Sequence, residues 1–510
     1  MRKIKLFVAP LLAVMMMCLA SCTGNLEHAN LIPNDAAIVV KFDAMQVLDE
    51  SGVLKDEKVQ KRLKDQVFDD MPKALREKAE ALVEDPAASG VDPSKPVLFY
   101  FVDEKNFGFV GALQDRDLFE ETINMVAKET DRDKVEEAGD ISYMQIDQTA
   151  ILAFDDARYI ITPTERDLSK KQIQKMLEEK FDIDESILSN DNFVEFASSN
   201  SELAYFMNVE AVLDIASEVI PETGRYMNLL KPVDDLKNFD VVASLAFEYG
   251  ETVLSFKMLP KNDKGEEFLA EMEKCYKDIS GDHFKYVSAD APFVLATGLD
   301  GAEYKNYIKK LGALDVLNMF GDEEVAEFMD MYIDVLSTVN GDVTIALSEL
   351  SEDDPQALVA VNTEERKIFD ILKDALAGVA QKKSADNYVI EDGKIPGAFG
   401  VEDETTYFVI GEDKLKEQSK SMDSDDFEGY KMFACLFVDN LMKSPLIEDL
   451  LDKYVGDNEL DEAMEYVEMV DKVTMSCDER EVQLKIVMKD PNVNILGVLG
   501  EVLIDEIKSL

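Results

Sequence analysis

The chain has 510 residues, of which 106 are acidic and 53 are basic, so its formal net charge is −53 at pH 7. Nucleic-acid binding requires clustered cations that neutralise backbone phosphates, so this charge balance excludes that class of partner. The same field disfavours flat docking onto anionic lipid headgroups. Hydrophobic residues make up 46% of the chain and fall into periodic segments, which favours a folded core over disorder.

Residues 1–21 predict a bacterial lipoprotein signal peptide. A basic start is followed by an apolar run from Leu6 to Leu19, which is shorter than a membrane-spanning helix. The next residues, Leu19-Ala20-Ser21-Cys22, resemble the lipobox, in which small residues precede the cysteine that receives the lipid. We therefore predict lipidation of Cys22, whose acyl chains, such as palmitate, would fasten the protein to a membrane. An ordinary cleaved signal that leaves a free Cys22 is the alternative.

Residues 22–30 predict a polar tether, and the rest of the chain predicts an internal duplication. The segment 35–43, an apolar strand that ends on Asp before a helix, is echoed at 290–300. Four more pairs of segments share their order of elements: 96–123 with 341–372, 141–172 with 387–418, 202–214 with 433–445, and 241–262 with 471–492. Amphipathic helices at 265–280 and 493–508 close the two halves, which span 31–281 and 286–510.

The strand patterns alternate aromatic or β-branched residues with polar ones, and short turns join them. These features favour mainly antiparallel sheets covered by helices. We therefore predict the α+β class, with two tandem, structurally similar halves. Four polar residues, Asp43, Asn208, Asp300 and Asp439, stand between a strand and a helix, where we expect their side chains to cap the helices. Whether the halves share one sheet is left open by the sequence.

Three cysteines follow Cys22, namely Cys275, Cys435 and Cys477. Cys275 falls on the apolar stripe of the predicted helix 265–280, and Cys435 lies within the apolar run FACLF. We expect both to be small core residues. A disulfide between Cys435 and Cys477 stays open at this point, because the sequence does not show how far apart their Cα atoms lie.

Familiar catalytic motifs are missing from the sequence. It has only two histidines, His28 in the tether and His283 at the junction of the halves, which disfavours triads and imidazole-rich metal sites. It contains no nucleophile elbow, phosphate-binding loop, dinucleotide fingerprint or zinc-protease motif. The absence of Trp disfavours a sugar-stacking surface. Hydrolysis by a pair of carboxylates stays open, because 106 acids offer many pairs and their spacing selects none.

A candidate for a calcium site is the run DSDDFEG from Asp423 to Gly429. Its oxygen ligands would be the side chains of Asp423, Asp425, Asp426 and Glu428. The run departs from an EF-hand loop, because its glycine is seventh rather than sixth and its twelfth position is Ala434. A solvated acidic loop is the favoured interpretation, so Ca²⁺ is a minor candidate and no other cofactor is expected.

The segment Leu31–Gly52 (LIPNDAAIVVKFDAMQVLDESG) resembles a family of Bacteroidetes lipoproteins known as domain of unknown function 4836. The likeness consists of a P-x-D-A entry into an apolar strand, followed by a helix with a polar cap. The family has no established activity, so the resemblance implies no catalytic residue. It does imply an envelope with two membranes, and hence the outer membrane. Residues 23–25 lack the acids typical of surface-exported lipoproteins in that group, which favours the periplasmic face.

Two hypotheses on function follow. The leading one is a non-enzymatic envelope protein whose sheets and helices bind or scaffold a protein or an apolar ligand. The alternative is a periplasmic hydrolase that acts through Asp or Glu, with or without a metal ion. The sequence determines neither the ligand nor the oligomeric state.

Overall fold

The computed structural model describes residues 26–62, 72–130, 132–166, 168–219, 235–311, 323–351, 354–390, 396–454, 464–478 and 480–509. Within them the chain forms helices and antiparallel strands, which confirms the predicted α+β class. The chain divides into two compact units. Unit 1 comprises Met1–Pro221, Phe239–Thr252 and Asn492–Leu510, and unit 2 comprises Glu222–Asn238 and Val253–Pro491.

Nine strands build the sheet described in unit 1. They are β1 (Ile38–Phe42), β2 (Val97–Asp103), β3 (Asn106–Ala112), β4 (Glu136–Ala138), β5 (Ile141–Gln145), β6 (Ala150–Phe154), β7 (Arg158–Pro163), β8 (Leu203–Asn208) and β9 (Phe239–Glu248). Their order across the sheet is β9-β8-β1-β2-β3-β7-β6-β5-β4, and every neighbouring pair is antiparallel. The turn after β9 is Tyr249 and Gly250, and β10 (Glu251–Pro260) follows it.

The strands of unit 2 pair in a matching order. After β10 they are β11 (Tyr276–Lys277), β12 (Phe293–Asp300), β13 (Val339–Glu349), β14 (Gln356–Thr363), β15 (Ala380–Lys382), β16 (Asn387–Ile390), β17 (Gly397–Glu402), β18 (Thr405–Ile410), β19 (Met432–Phe437), β20 (Val470–Cys477) and β21 (Glu481–Met488). Nine of them follow the antiparallel order β20-β19-β12-β13-β14-β18-β17-β16-β15. Strand β21 adds to β20, and β11 adds to β12.

The helices pack against these strands and against one another. In chain order they are α1 (Ala44–Ser51), α2 (Glu57–Arg62), α3 (Lys73–Glu84), α4 (Arg116–Glu129), α5 (Lys170–Phe181), α6 (Asp191–Ala197), α7 (Val209–Val219), α8 (Asp263–Glu273), α9 (Gly301–Leu311), α10 (Glu323–Leu336), α11 (Lys367–Ala375), α12 (Val438–Met442), α13 (Pro445–Tyr454) and α14 (Ile495–Ser509). Helix α4 packs Phe119 edge-on against Phe154 and flat against Tyr159, at centroid distances of 5.2 and 5.5 Å. Aromatic pairs of this kind contribute about 1 kcal/mol each beyond the area they bury.

Three of the four predicted helix caps are confirmed. Asp43 accepts from the backbone N–H of Gln46 at 2.9 Å. Asn208 and Asp300 accept in the same way, at 3.3 and 3.1 Å, from the third residue of the helix that follows each of them. The prediction for Asp439 is wrong. Asp439 lies inside the first turn of α12, and its carboxylate pairs with Lys489 at 2.5 Å instead.

The segment predicted as a polar tether is described from Leu26 onward, and there it is packed. Residues Glu27–Leu31 form a 3-10 helix against β3 and β7, and Leu26, His28 and Ala29 are buried. Residues 26–30 therefore depart from the predicted tether, because their apolar side chains have a sheet to pack on. The signal peptide and Cys22 lie outside the described residues.

The closing helices also differ from the sequence pattern. Helix α8 ends at Glu273 rather than at residue 280, because Tyr276 and Lys277 pair with β12. Cys275 is therefore buried just beyond the helix and not on its stripe. Helix α14 belongs to unit 1, where it packs against α1 and α2. Leu496 and Ile504 are among its buried side chains, whereas Leu499 and Leu503 are exposed.

Candidate functional site

Alternate side chains of the unit 1 sheet lie in two different environments. On one side of β1, β2, β3 and β8 the side chains are buried, among them Val39, Leu98 and Val110. Helix α6 covers part of this side. Its Phe193 and Phe196 lie against Phe206 of β8, with ring centroids 5.4 and 5.8 Å away.

The other side of the same sheet is apolar but not covered to the same extent. We call it the open face of unit 1, and define it by thirteen side chains that are all partly or largely exposed. They are Ile38, Val40 and Phe42 on β1, Phe99 and Phe101 on β2, Phe107 and Phe109 on β3, Leu203, Tyr205 and Met207 on β8, and Val241, Ala243 and Leu245 on β9. None of the thirteen is charged.

The open face of unit 1 is continuous from strand to strand. Phe42 is 44% exposed and pairs across the strands with Leu203, which is 39% exposed. Phe109 is 46% exposed, and its ring centroid lies 5.1 Å from that of Phe99. An antiparallel sheet with one solvated side normally carries polar residues there. A contiguous apolar patch in that place indicates a binding surface.

Unit 2 has a second sheet side of the same kind. Its partly exposed apolar residues are Phe293 and Leu295 on β12, Val343, Ile345 and Leu347 on β13, Val359 and Val361 on β14, Leu436 on β19, and Val473 and Met475 on β20. The alternate residues, such as Val294, Ala346 and Ala360, are buried. The two units thus share one arrangement, in which one sheet side is covered and the other is apolar and open.

A buried ionic cluster lies on the covered side of unit 1. Lys41 is 4% exposed, and its Nζ donates to the carbonyl of Ser199 and, at 3.2 Å, to the Ser199 hydroxyl. Glu202 is 1% exposed and accepts from the backbone N–H of Phe247 at 3.0 Å. The amide of Gln46 donates to Glu202 at 2.5 Å and to Glu50 at 3.0 Å.

Burial perturbs the acid–base chemistry of this ionic cluster. Desolvation raises the pKa of Asp43 to about 6, although the Gln46 N–H and Lys41 oppose the rise. Burial likewise raises the pKa of Glu202 and lowers the pKa of Lys41. Perturbed groups that lie close together mark candidate functional sites. Asp43 could exchange a proton near pH 6, whereas Lys41 and Glu202 are held in hydrogen bonds to the backbone.

We expect the stability of the protein to depend on pH through Asp43. Because its folded pKa lies above the unfolded value of about 3.9, the folded state binds the proton more tightly, and the free energy of unfolding falls as pH rises from about 4 to 6. The expected difference is about 2 kcal/mol. Urea unfolding at pH 4.5 and pH 7 measures it.

The control variants isolate this effect from the charge of the whole chain. Asp43→Asn keeps the capping oxygen and should reduce the pH dependence relative to the wild type. Asp117→Asn, at a carboxylate whose side chain is 96% exposed, should leave it unchanged. Equal slopes for the wild type and Asp43→Asn would contradict the expectation.

The two histidines occupy corresponding places that the sequence analysis did not recognise. Each lies seven residues before the Asp that precedes a corresponding strand, His28 before Asp35 and β1, and His283 before Asp290 and β12, and each is buried. The ring of His283 lies 3.1 Å from the Thr344 hydroxyl and 2.7 Å from the Asn362 amide oxygen. Burial lowers the pKa of both rings, to about 4 for His28, so both are neutral at pH 7.

Side chains of the candidate calcium loop form hydrogen bonds within the loop and an ion pair with a lysine. Asp426 pairs with Lys472 at 2.9 Å, and Glu428 accepts from the Ser424 hydroxyl at 2.6 Å. Asp423 accepts from the backbone N–H of Asp425 at 3.2 Å. The loop anchors Phe427, which is 2% exposed, in the core of unit 2. Among the described residues, no three or more His, Cys, Asp or Glu are grouped so as to hold a metal ion.

The register of β19 and β20 excludes the disulfide that the sequence left open. Cys435 lies opposite Thr474, and Cys477 lies opposite Met432. The two cysteines are therefore three positions, or about 10 Å, apart along the strands, beyond the reach of a disulfide. Cys275, Cys435 and Cys477 are free, and Cys275 and Cys435 are buried as predicted.

The fold and the candidate site define an α+β protein whose antiparallel strands leave one apolar sheet side open in each unit. The chain belongs to the family described as domain of unknown function (DUF4836), whose model matches residues 28–496. This confirms the family resemblance seen in Leu31–Gly52. No curated protein matches the chain.

Three solved structures show a distant likeness. They are crystal forms I, IV and III of TP0453, which are 12, 11 and 10% identical to the chain and have a TM-score of 0.24 each. The matches cover 50, 46 and 50% of this chain and 89, 81 and 89% of those chains. Among the described residues, no helix combines the length and apolar character needed to cross a membrane.

Proposed function

We propose that this protein is an envelope-anchored, non-enzymatic binding protein that holds an apolar partner on its open sheet faces. The observation that carries the proposal is the open face of unit 1, on which thirteen apolar side chains over five strands remain accessible. In a chain with a net charge of −53, an uncharged surface of this extent requires an explanation. Binding of apolar material supplies one, because it removes these side chains from water.

The proposal includes an internal duplication into two tandem halves. The matching strand orders of units 1 and 2 support it, as do the corresponding positions of His28 and His283. In this interpretation the halves have exchanged their closing segments. Helix α14 follows the second half in sequence but belongs to unit 1, and helix α8 follows the first half but belongs to unit 2.

We also propose that Cys22 carries the lipid, and that the protein sits on the periplasmic face of the outer membrane. The lipobox and the apolar run before it support the anchor. Residues 26–31 are packed in unit 1, so only residues 23–25 separate Cys22 from the folded body. This short connection limits the distance between the lipid and unit 1. A chain of that length spans at most about 14 Å. Unit 1 would therefore be held close to the membrane surface.

The lipid anchor is tested by fractionation of cells that express the full-length chain. We expect the wild type in the membrane fraction, and a Cys22→Ser variant largely in the soluble periplasmic fraction, because it loses the acyl chains that supply membrane affinity. Mass spectrometry of the N-terminal peptide should show acyl mass on Cys22. Cys477→Ser, at a half-buried cysteine far along the sequence, is the control and should stay with the membrane. An unacylated wild-type Cys22 would contradict the proposal.

The binding function is tested with Nile red, an uncharged dye that fluoresces in apolar sites. We expect the folded Cys22→Ser chain to bind it, and the double variant Phe42→Ser/Phe109→Ser to bind it roughly tenfold more weakly, because two exposed rings of the open face are lost. Val194→Ser is the matched control. Val194 is 47% exposed on α6, which covers the other side of the sheet. Equal dye binding by all three proteins would overturn the proposed function.

A hydrolase is the second candidate, and the ionic cluster of Lys41, Asp43 and Glu202 favours it. In that case Asp43, with its pKa near 6, would act as the acid or base. Such an enzyme predicts turnover that Asp43→Asn abolishes while the variant stays folded. The proposed binding protein predicts the reverse: dye binding by Asp43→Asn equal to that of the wild type, and no turnover.

A further inference from the structure

The open face of unit 1 offers an occupant almost no hydrogen bonds. Of its thirteen side chains only Tyr205 has a polar atom, its hydroxyl. The strands β1, β2, β3 and β8 each pair with a neighbour on both sides, so their backbone groups are already used in the sheet. A typical protein interface of standard size carries about ten hydrogen bonds. The open face therefore fits hydrocarbon better than it fits a protein surface.

Charge around the open face limits the kind of headgroup that could accompany the hydrocarbon. The turn after β2 exposes Asp103, Glu104 and Lys105, and β9 ends, at the opposite end of the strands, at the exposed Glu248. The chain as a whole carries a net charge of −53. An anionic headgroup would be repelled by this overall negative charge, whereas the ammonium of a zwitterionic headgroup would be attracted to the exposed acids.

The proposed anchor would hold unit 1 close to such lipids. Because Leu26 and Ala29 are buried in unit 1, the reach from Cys22 to the folded body is about 14 Å at most. We propose that the open face of unit 1 binds the acyl chains of a zwitterionic membrane phospholipid. This inference rests on the proposed function and names the partner of the same face.

The test uses phosphatidylethanolamine labelled with a nitrobenzoxadiazole fluorophore on one acyl chain, mixed with the soluble Cys22→Ser chain. We expect saturable fluorescence enhancement, and a loss of affinity of roughly tenfold in Phe42→Ser/Phe109→Ser. Val194→Ser should bind as well as the parent. The same fluorophore on phosphatidylglycerol should bind more weakly than on phosphatidylethanolamine at low salt, and the difference should shrink at 0.5 M salt, where charges are screened over about 4 Å.

Several outcomes would overturn the inference while leaving the proposed function intact. One is Nile red binding that depends on Phe42 and Phe109 without any binding of the labelled lipid. Another is a dimer of the Cys22→Ser chain that becomes monomeric in the double variant, which would show that a second copy covers the open face. Loss of Nile red binding altogether would overturn both proposals. Melting temperatures within about 2 °C of the parent would show that the variants are folded.

Discussion

Substituting Gly500 with alanine is expected to reduce the free energy of unfolding by about 3 kcal/mol. Gly500 lies in α14, where an added Cβ would stand 2.0 Å from the backbone oxygen of Ser51 at the end of α1. A backbone carbonyl cannot rotate away as a side chain can, so the two helices would have to separate. Leu496 and Ile504, which are both buried on α14, would then lose their packing.

The same helix supplies the control. At Gly497, one turn earlier, the nearest atom to an added Cβ is the Glu50 oxygen at 3.6 Å, an ordinary contact. Gly497→Ala should therefore stabilise the helix by up to about 1 kcal/mol, the difference in helix propensity. Urea unfolding of the three proteins measures both changes. If Gly500→Ala were as stable as Gly497→Ala, helix α14 would not pack on α1 as described.

The order of elements could be predicted from the sequence because it depends on local patterns. The segment 141–172 predicts three short strands and a helix, and β5, β6 and β7 lie there, followed by α5, which begins at Lys170. Strand alternation, turn residues and caps such as Asp300 act over a few residues. Element order alone cannot show where a segment packs. Contacts such as that between Gly500 and Ser51 join residues far apart in the chain, so α14 was expected beside its sequence neighbours.

The open face could not be predicted from the sequence, for a different physical reason. On β2 the covered residues Leu98 and Tyr100 are as apolar as Phe99 and Phe101 on the open side. With no difference in polarity between the two sides, alternation cannot show which one a helix covers. The missing catalytic motifs favour a protein that binds or scaffolds a protein or an apolar ligand, but they assign no residue to that role.

The sequence contains a signal for the packed N-terminal segment and for the two histidines. Glu27-His28 and Asp282-His283 stand at the same distance from Asp35 and Asp290, so extending the repeat toward the N-terminus would have placed both histidines inside it. A buried histidine is consistent with a packed segment, and the 3-10 helix that contains His28 is such a segment. The polar composition of residues 22–30 masked the apolar Leu26 and Ala29 that hold this segment in place.

The second large effect is expected at Glu202, where alanine should reduce the free energy of unfolding by about 3 kcal/mol. Its carboxylate is the acceptor for two donors, the backbone N–H of Phe247 and the amide of Gln46. A buried donor left without an acceptor costs about 1–3 kcal/mol. The raised pKa of Glu202 shows that burying its charge is itself unfavourable, so the net loss is smaller than the sum over both donors.

Two variants separate the hydrogen bonds from the charge. Glu202→Gln keeps an acceptor oxygen and removes the buried charge, so we expect a loss of about 1 kcal/mol. Lys431→Ala is the matched control in unit 2. Lys431 precedes Met432 on β19 as Glu202 precedes Leu203 on β8, and it pairs with the exposed Asp278 at 2.5 Å. An ion pair with an exposed partner contributes at most about 1 kcal/mol. Urea unfolding should therefore give Glu202→Ala a clearly lower free energy of unfolding than Glu202→Gln or Lys431→Ala. If Glu202→Gln were as unstable as Glu202→Ala, the charge rather than the two hydrogen bonds would hold the ionic cluster together.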